Sequence, residues 1–391
     1  MLIALVGTLA SSVFLAMVMA AARRFQERLA ERRGSLAPLT TAPGVTMLKP
    51  IHGLEPRMEE NLEGYFRLDY PNYEIVFGCR GAEDAALAMV ERLRGRFPQV
   101  KVRIVFSGEP LWPNAKVYSL DKMIASSTND LFVITDSDIT VQPDFLKTVV
   151  PYLLKPEVGL VTCLYRGVPA GDFWSGLEAL GMSVEMPSGV MVAEMMEGMK
   201  FALGAVMAIK RSALDKIGGI GSTADYYSDD FVLGNRVAEA GFEVVLENPG
   251  IGHILTAQRF SSTFRTQLRW MQSTRYSRPK GHFGTGLTFS TPFGILGFVA
   301  AWAVHLYPAA IAMLAWGYLN RVLQCYAVGW QVIGDPRARR FAWLYPIRDL
   351  LGFFIWLASY LGGSTFHWRG ELYRFTSGGR IVAASRNHPT S

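Results

Sequence analysis

The chain has 391 residues, half of them hydrophobic and only 18% charged, with a net charge of +6. That is too apolar for an ordinary soluble enzyme. The positive excess gathers beside apolar runs, where anionic lipid headgroups would meet it, and no aromatic-basic RNA motif accompanies it, so no nucleic-acid partner is expected.

Residues 2–22 contain no Asp, Glu, Lys or Arg, long enough for one crossing of a bilayer. The positive charges follow the apolar part, at Arg23, Arg24, Arg28, Arg32 and Arg33. A cleaved secretory signal has the opposite order, so residues 1–22 read as an uncleaved anchor with the body of the protein in the cytoplasm. Residues 23–44 form a basic stalk and linker, with prolines between 38 and 43. Segments 45–48, 73–79 and 100–106 read as strands, and 55–66, 84–97 and 118–126 as helices between and after them. This alternation up to about residue 165 predicts a parallel, doubly wound α/β sheet of nucleotide-binding type.

The stretch around which the chain is organised is 131–145. Residues 131–135 are apolar or β-branched, as in a buried parallel strand, and Asp136-Ser137-Asp138 closes it. Ligands of open α/β sheets bind at that end of a strand. Two neighbouring carboxylates repel unless a cation sits between them, and their hard oxygens suit Mg2+ or Mn2+. The alternative is a solvated Asp-Ser-Asp turn capping the next helix. Asp84 similarly reads either as a contact to a nucleotide or as a helix N-cap.

Further along, 173–198 is rich in Met (182, 186, 191, 195 and 196) and interrupted by Gly. It reads as core filling or an adaptable lipid-facing groove. Segment 201–210 reads as a strand returning to the sheet, and 211–217 as a helical turn. Asp229 and Asp230 precede a helix at 232–240, where carboxylates serve either as simple N-terminal partners of the dipole or as a base for an acceptor hydroxyl. His253 follows a Gly-rich turn and reads either as a further metal ligand late in the fold or as structural; it is left out of the metal set. Arg265-Thr266-Gln267-Leu268-Arg269-Trp270 pairs a guanidinium with an aromatic ring, suited to clamping a diphosphate or to lying on a membrane surface. Residues 283–320 and 350–368 are again uncharged. The second fits one crossing; the first is nearly twice that length, and Pro308 interrupts it. Two to four helices are expected after the catalytic part, with the tail cytoplasmic. Cys79, Cys163 and Cys325 have neither disulfide nor zinc spacing and read as buried thiols.

The order of these features resembles lipid-directed glycosyltransferases of the GT-A fold, and most closely the ceramide glucosyltransferase family. The residues that carry the resemblance are Met47-Leu48-Lys49-Pro50 with Gly53, Asn61-Leu62-Glu63, Leu68-Asp69-Tyr70-Pro71, Asp84, Asp136-Ser137-Asp138, Asp229-Asp230, Arg269-Trp270, and the tail Trp368-Arg369-Gly370 with Tyr373-Arg374. The resemblance implies an α/β GT-A (Rossmann-like) catalytic domain at 45–282, flanked by the N-terminal anchor, a membrane region at 283–368 and a tail at 369–391. It also implies that Asp84 contacts uridine, that Asp136 and Asp138 hold a divalent cation and the diphosphate, and that Asp230, beside Asp229, is the catalytic base. Arg269 and Trp270 would complete the diphosphate and acceptor site. Thr266 departs from the family's Gln or Arg at that position. The implied enzyme is a membrane-bound, multi-pass, inverting hexosyltransferase that takes a UDP-sugar to a membrane lipid hydroxyl, UDP-glucose to ceramide in the first instance. The alternatives are UDP-N-acetylglucosamine to a hopanoid, or a processive polysaccharide synthase.

Overall fold

The computed structural model describes residues 1–37, 39–256, 260–368 and 371–384. Pro38 of the linker, Arg369 and Gly370 of the tail motif, and the tail from 385 onward lie outside the described residues. In chain order the elements are α1 (Leu2–Gly34), β1 (Val45–Pro50), α2 (Met58–Phe66), β2 (Tyr73–Cys79), α3 (Ala86–Arg96), β3 (Lys101–Phe106), α4 (Ala115–Ser126) and β4 (Leu131–Thr135). Then come β5 (Ile139–Thr140), α5 (Phe145–Leu153), β6 (Val158–Val168), α6 (Phe173–Glu197), β7 (Val206–Lys210), α7 (Arg211–Lys216), α8 (Asp229–Glu239) and β8 (Glu243–Ile254). The rest is mostly helical: α9 (Phe260–Ser277), α10 (Pro279–Thr288), α11 (Thr291–Ala303), α12 (Tyr307–Gln324), α13 (Pro336–Phe341) and α14 (Tyr345–Leu361), followed by β9 (Thr365–Trp368), β10 (Glu371–Phe375) and β11 (Ile381–Ala383).

The chain divides into two compact units. One comprises Leu29–Tyr165 and Glu197–Ile254 and carries an eight-stranded sheet in the order β3-β2-β1-β4-β7-β6-β8-β5. Its first four strands are parallel, with Met47 of β1 level with Ile75 of β2 and Val133 of β4. Successive side chains leave a strand on opposite faces, and both faces here are covered. Met47, Ile75 and Val133 pack with Leu62, Tyr65 and Phe66 of α2 and Met89, Val90 and Leu93 of α3. Leu48, Val76 and Phe132 pack with Val117, Leu120 and Met123 of α4 and Leu233 and Val237 of α8.

The parallel arrangement expected from the alternating pattern holds for β1 to β4. Beyond them the sheet is mixed, because β7 runs antiparallel to β4 and β6 antiparallel to β7. The register pairs Val206 with Thr135, so the chain entering β7 arrives at the carboxyl end of β4, next to Asp136.

The second unit comprises Met1–Arg28, Arg166–Met196 and Leu255–Ser391. The expected Gly-interrupted stretch at 173–198 is one 25-residue helix, α6, that carries Pro187 in its interior. Met182 and Met191 are buried in it and Met196 is exposed. Residues 283–320 do not form one long helix. α10 and α11 are bent by 53° at a short break. α11 and α12 form a hairpin in which a Cβ on Gly294 would meet Gly317 Cα at 3.0 Å. Two helical stretches, Leu2–Gly34 and Pro336–Leu361, are long and apolar enough to cross a membrane, and the bent α10–α11 pair would make a third. Buried charge inside this unit is matched: Arg321 pairs with Asp349 at 3.3 Å, and Asp349 Oδ2 accepts the Ser290 and Thr291 backbone N–H groups at the start of α11.

Candidate active site

The parallel strands end in a row of charged side chains. Asp136 and Asp138 follow β4, as the strand-end reading requires. Lys116 in the first turn of α4 reaches Asp136 Oδ1 at 2.7 Å. Burial works against the Lys116 charge, but Asp136, Asp229 and Asp230 outweigh it and raise its pKa. Lys49, the buried lysine of β1, donates to Thr135 Oγ1 and to the Asp136 carbonyl, both at 2.8 Å, and lies 3.6 Å above the Tyr65 ring. Burial lowers its pKa to about 7, with Asp136 and Asp138 opposing the drop.

The short β5 strand pairs with β8 so that Ile139 faces His253. His253 Nε2 thereby comes within 3.1 Å of Asp138 Oδ2. Burial opposes ionisation of Asp138, yet His253 and Lys49 hold its pKa below the ordinary value. Its other oxygen, Oδ1, is enclosed and accepts no hydrogen bond among the described residues.

Asp229 and Asp230 stand in the first turn of α8, where the helix dipole favours them. Asn114 ties this turn to α4. Its side chain caps α4 by accepting the Lys116 and Val117 N–H groups, and its Nδ2 donates to Tyr226 O at 2.9 Å and Asp229 Oδ1 at 3.4 Å. Asp230 accepts its neighbour Phe231 N–H at 2.8 Å. Burial and the adjacent Asp229 charge raise Asp230 to about 6. Burial and Asp136 raise Asp229 as well, against Lys116. A carboxylate with a pKa near 6 is a competent general base at neutral pH.

Asp84 lies just before α3. Its carboxylate accepts Ala86 N–H at 2.9 Å and Gly53 N–H at 3.0 Å, joining the start of α3 to the loop after β1. Arg269 and Trp270 belong to the helical unit, on α9. Arg269 Nη1 donates to the His367 carbonyl at 3.4 Å, and Trp270 is 39% exposed.

The sheet-bearing unit thus brings together Asp136, Asp138, Asp229 and Asp230. It adds Asn114 and Lys116, which the sequence reading passed over, gives Lys49 a place beside Asp136, and sets His253 against Asp138. Asn114 carried a readable signal, an Asn just before a helix. His253 stood out only as a His after a Gly-rich turn, and the β5–β8 register is what brings it to Asp138. Among the described residues no three His, Cys, Asp or Glu side chains converge on one point. Mg2+ commonly uses only one or two protein carboxylates, with substrate phosphates and water completing its shell. The enclosed, unpartnered Oδ1 of Asp138 and the Asp136 carboxylate beside it therefore fit a divalent cation.

Comparison with known proteins gives the same fold. A mannosyltransferase from Pyrobaculum calidifontis, solved with GDP-Man and Mn2+, superposes with a TM-score of 0.54 at 20% identity over 89% of this chain and 99% of that one. Ceramide glucosyltransferase 1 of Caenorhabditis elegans is 23% identical over 350 residues, 88% of this chain and 74% of that protein. A beta-monoglucosyldiacylglycerol synthase from Synechocystis is 27% identical over 192 residues, 47% of this chain and 38% of that protein. Glycosyl transferase family 21 matches residues 3–381. With a GT-A sheet beneath the carboxylates and a family match that spans nearly the whole chain, this protein belongs to glycosyl transferase family 21.

Proposed function

We propose that the chain is an inverting glycosyltransferase that moves a hexose from a UDP-sugar to the hydroxyl of a membrane lipid, with UDP-glucose as donor and a ceramide-type acceptor. The observation that carries this reading is Asp230, a half-buried carboxyl raised to about 6 beside Asp229, in the unit where Asp136 at the end of β4 meets Lys116 of α4. In a single displacement the acceptor oxygen attacks the anomeric carbon, the bond from that carbon to the diphosphate breaks, and UDP departs. Asp230 takes the hydroxyl proton. Lys116 supplies positive charge close to Asp136, where the departing diphosphate is expected. A divalent cation held by Asp136 and Asp138 would neutralise charge on that diphosphate. Asp84, already engaged with two backbone N–H groups, fixes the loop that would border the uridine. The lipid acceptor is supported by the named activities of the relatives and by the two apolar helical stretches.

The test is transfer in membranes containing the protein, with labelled UDP-glucose, UDP-N-acetylglucosamine and GDP-mannose each offered against ceramide, a hopanoid polyol and diacylglycerol, with and without EDTA. The expected result is label in ceramide from UDP-glucose, abolished by EDTA and restored by Mg2+ or Mn2+. Transfer that persists in EDTA removes the cation from the reading. A different best pair corrects donor or acceptor, and folded protein that labels no lipid overturns the function.

A further inference from the structure

The helical unit contains a narrow slot that the nucleotide-sugar chemistry does not use. Trp174 of α6, Phe260 and Phe264 of α9 and Leu351 and Ile355 of α14 wall it, and Arg348 stands in its lining. As folded it holds about 20 Å3, space for about one water. Its cover is aromatic and reaches the surface. The Trp174 and Phe260 rings meet at 4.7 Å, and the two residues are 38% and 40% exposed, so swinging these rings apart would open the slot.

The polar end of the slot is built. Arg348 is buried and its Nη2 donates to Glu185 Oε2 at 2.9 Å. Arg348 Nε and Glu185 Oε1 are both enclosed with no hydrogen-bond partner among the described residues. Gly181 makes room for this side chain, because a Cβ there would sit 2.4 Å from Arg348 Nε. Enclosed polar atoms without partners are uncommon in folded proteins and point to an absent one. The charge balance limits what that partner can be. Arg348 is already matched by Glu185. A phosphate headgroup would have to displace Glu185 to gain a charge partner, whereas a neutral hydroxyl or amide oxygen would meet an unused donor. Beyond the slot α14 goes on to the exposed apolar residues Phe354, Leu357 and Leu361, on a stretch apolar enough for a bilayer.

We infer that this slot binds the polar end of a neutral, hydroxyl-bearing lipid, with Arg348 Nε–H donating to one of its oxygens and Trp174, Phe260 and Phe264 covering its first carbons. The inference rests on the lipid-acceptor reading above and names where in the helical unit that lipid is held.

The experiment uses the full chain in phosphatidylcholine nanodiscs with a diazirine-bearing short-chain ceramide, mapping the label by mass spectrometry. Label is expected on peptides of α6, α9 or α14. Unlabelled ceramide or diacylglycerol should compete, and phosphatidic acid should not. Leu351→Trp fills the slot without touching a charge. It should cut labelling and raise the acceptor KM by roughly tenfold, leaving the UDP-sugar KM unchanged. Label outside these helices, equal competition by phosphatidic acid, or undiminished labelling in folded Leu351→Trp would overturn the inference. The labelling site in the unmodified chain gives the answer even if Leu351→Trp fails to fold. Absence of sugar transfer to any lipid would sink the function proposal, while the labelling pattern alone would still decide the slot.

Discussion

Asp230 is the residue whose environment matters most. Its proton must be off for it to accept another, so kcat/KM should rise with pH through about 6 and level off above it. A profile flat from pH 5 to 8 would remove Asp230 as the base. Asp230→Asn should lower turnover by at least about 100-fold while UDP-sugar binding persists. Stability should move the other way. The folded state holds this carboxyl at about 6, above its unfolded value of about 3.9, so its contribution is fully present below the lower value and lost as pH rises through the upper one. Asparagine avoids that loss, and the variant should melt at a higher temperature than the parent at pH 7.5. Lys116 acts on the same pair. Its charge lowers the pKa of Asp230, so Lys116→Met should move the acidic limb of the pH profile upward and weaken UDP-sugar binding. An unmoved limb would mean that the two groups do not communicate.

α8 shows how an element's packing sets the depth of carboxylates that its own sequence supplies. Gly234 is a poor helix former in mid-helix, yet a Cβ there would stand 2.3 Å from the backbone of Phe201 and Ala202. The glycine lets α8 lie directly against the chain entering β7 and so sets the depth of Asp229 and Asp230. Gly234→Ala would gain helix propensity and still be expected to destabilise by about 1–3 kcal/mol through overpacking, with a loss of turnover. A more stable variant would show that the backbone can yield. Element types in this unit were legible from sequence, since 73–79 alternates and 131–135 is a short apolar, β-branched run bounded by polar residues. What periodicity left unread was direction. A short apolar run looks the same whether it pairs parallel or antiparallel, so β7 and the mixed half of the sheet needed the register. α6 misled for a different reason. Gly and Pro weaken a helix by about 1–3 kcal/mol each, which packing along 25 residues can override.

At the scale of the whole molecule, membrane topology has a parity argument. Within the helical unit, Tyr276 on α9 stacks on Phe375 of β10 at 5.3 Å. Gln272 on α9 donates to Gly363 O at 3.3 Å, just past the end of α14. Chain segments in contact outside the bilayer share a side of it, so an even number of crossings separates α9 from the tail strands. Cysteines placed at Lys280 and Val382 should therefore react with an impermeant maleimide from the same face of sealed vesicles. By the arginines after residue 22, that face is expected to be the cytoplasmic one. Labelling from opposite faces would overturn the parity.

The sequence alone determined what each segment is made to bury. Uncharged runs marked stretches apolar enough for a membrane, alternation marked the α/β sheet, and the acidic pairs at 136/138 and 229/230 marked candidate carboxylates, because these are properties of neighbours along the chain. Tertiary structure decided which distant groups meet. Asn114 reaches the acidic turn of α8, Lys116 and Lys49 both reach Asp136, and His253 joins Asp138 through a two-residue strand pairing. None of these contacts has a local signal, since each arises from strand order and register, which are fixed only when the whole sheet buries both of its faces.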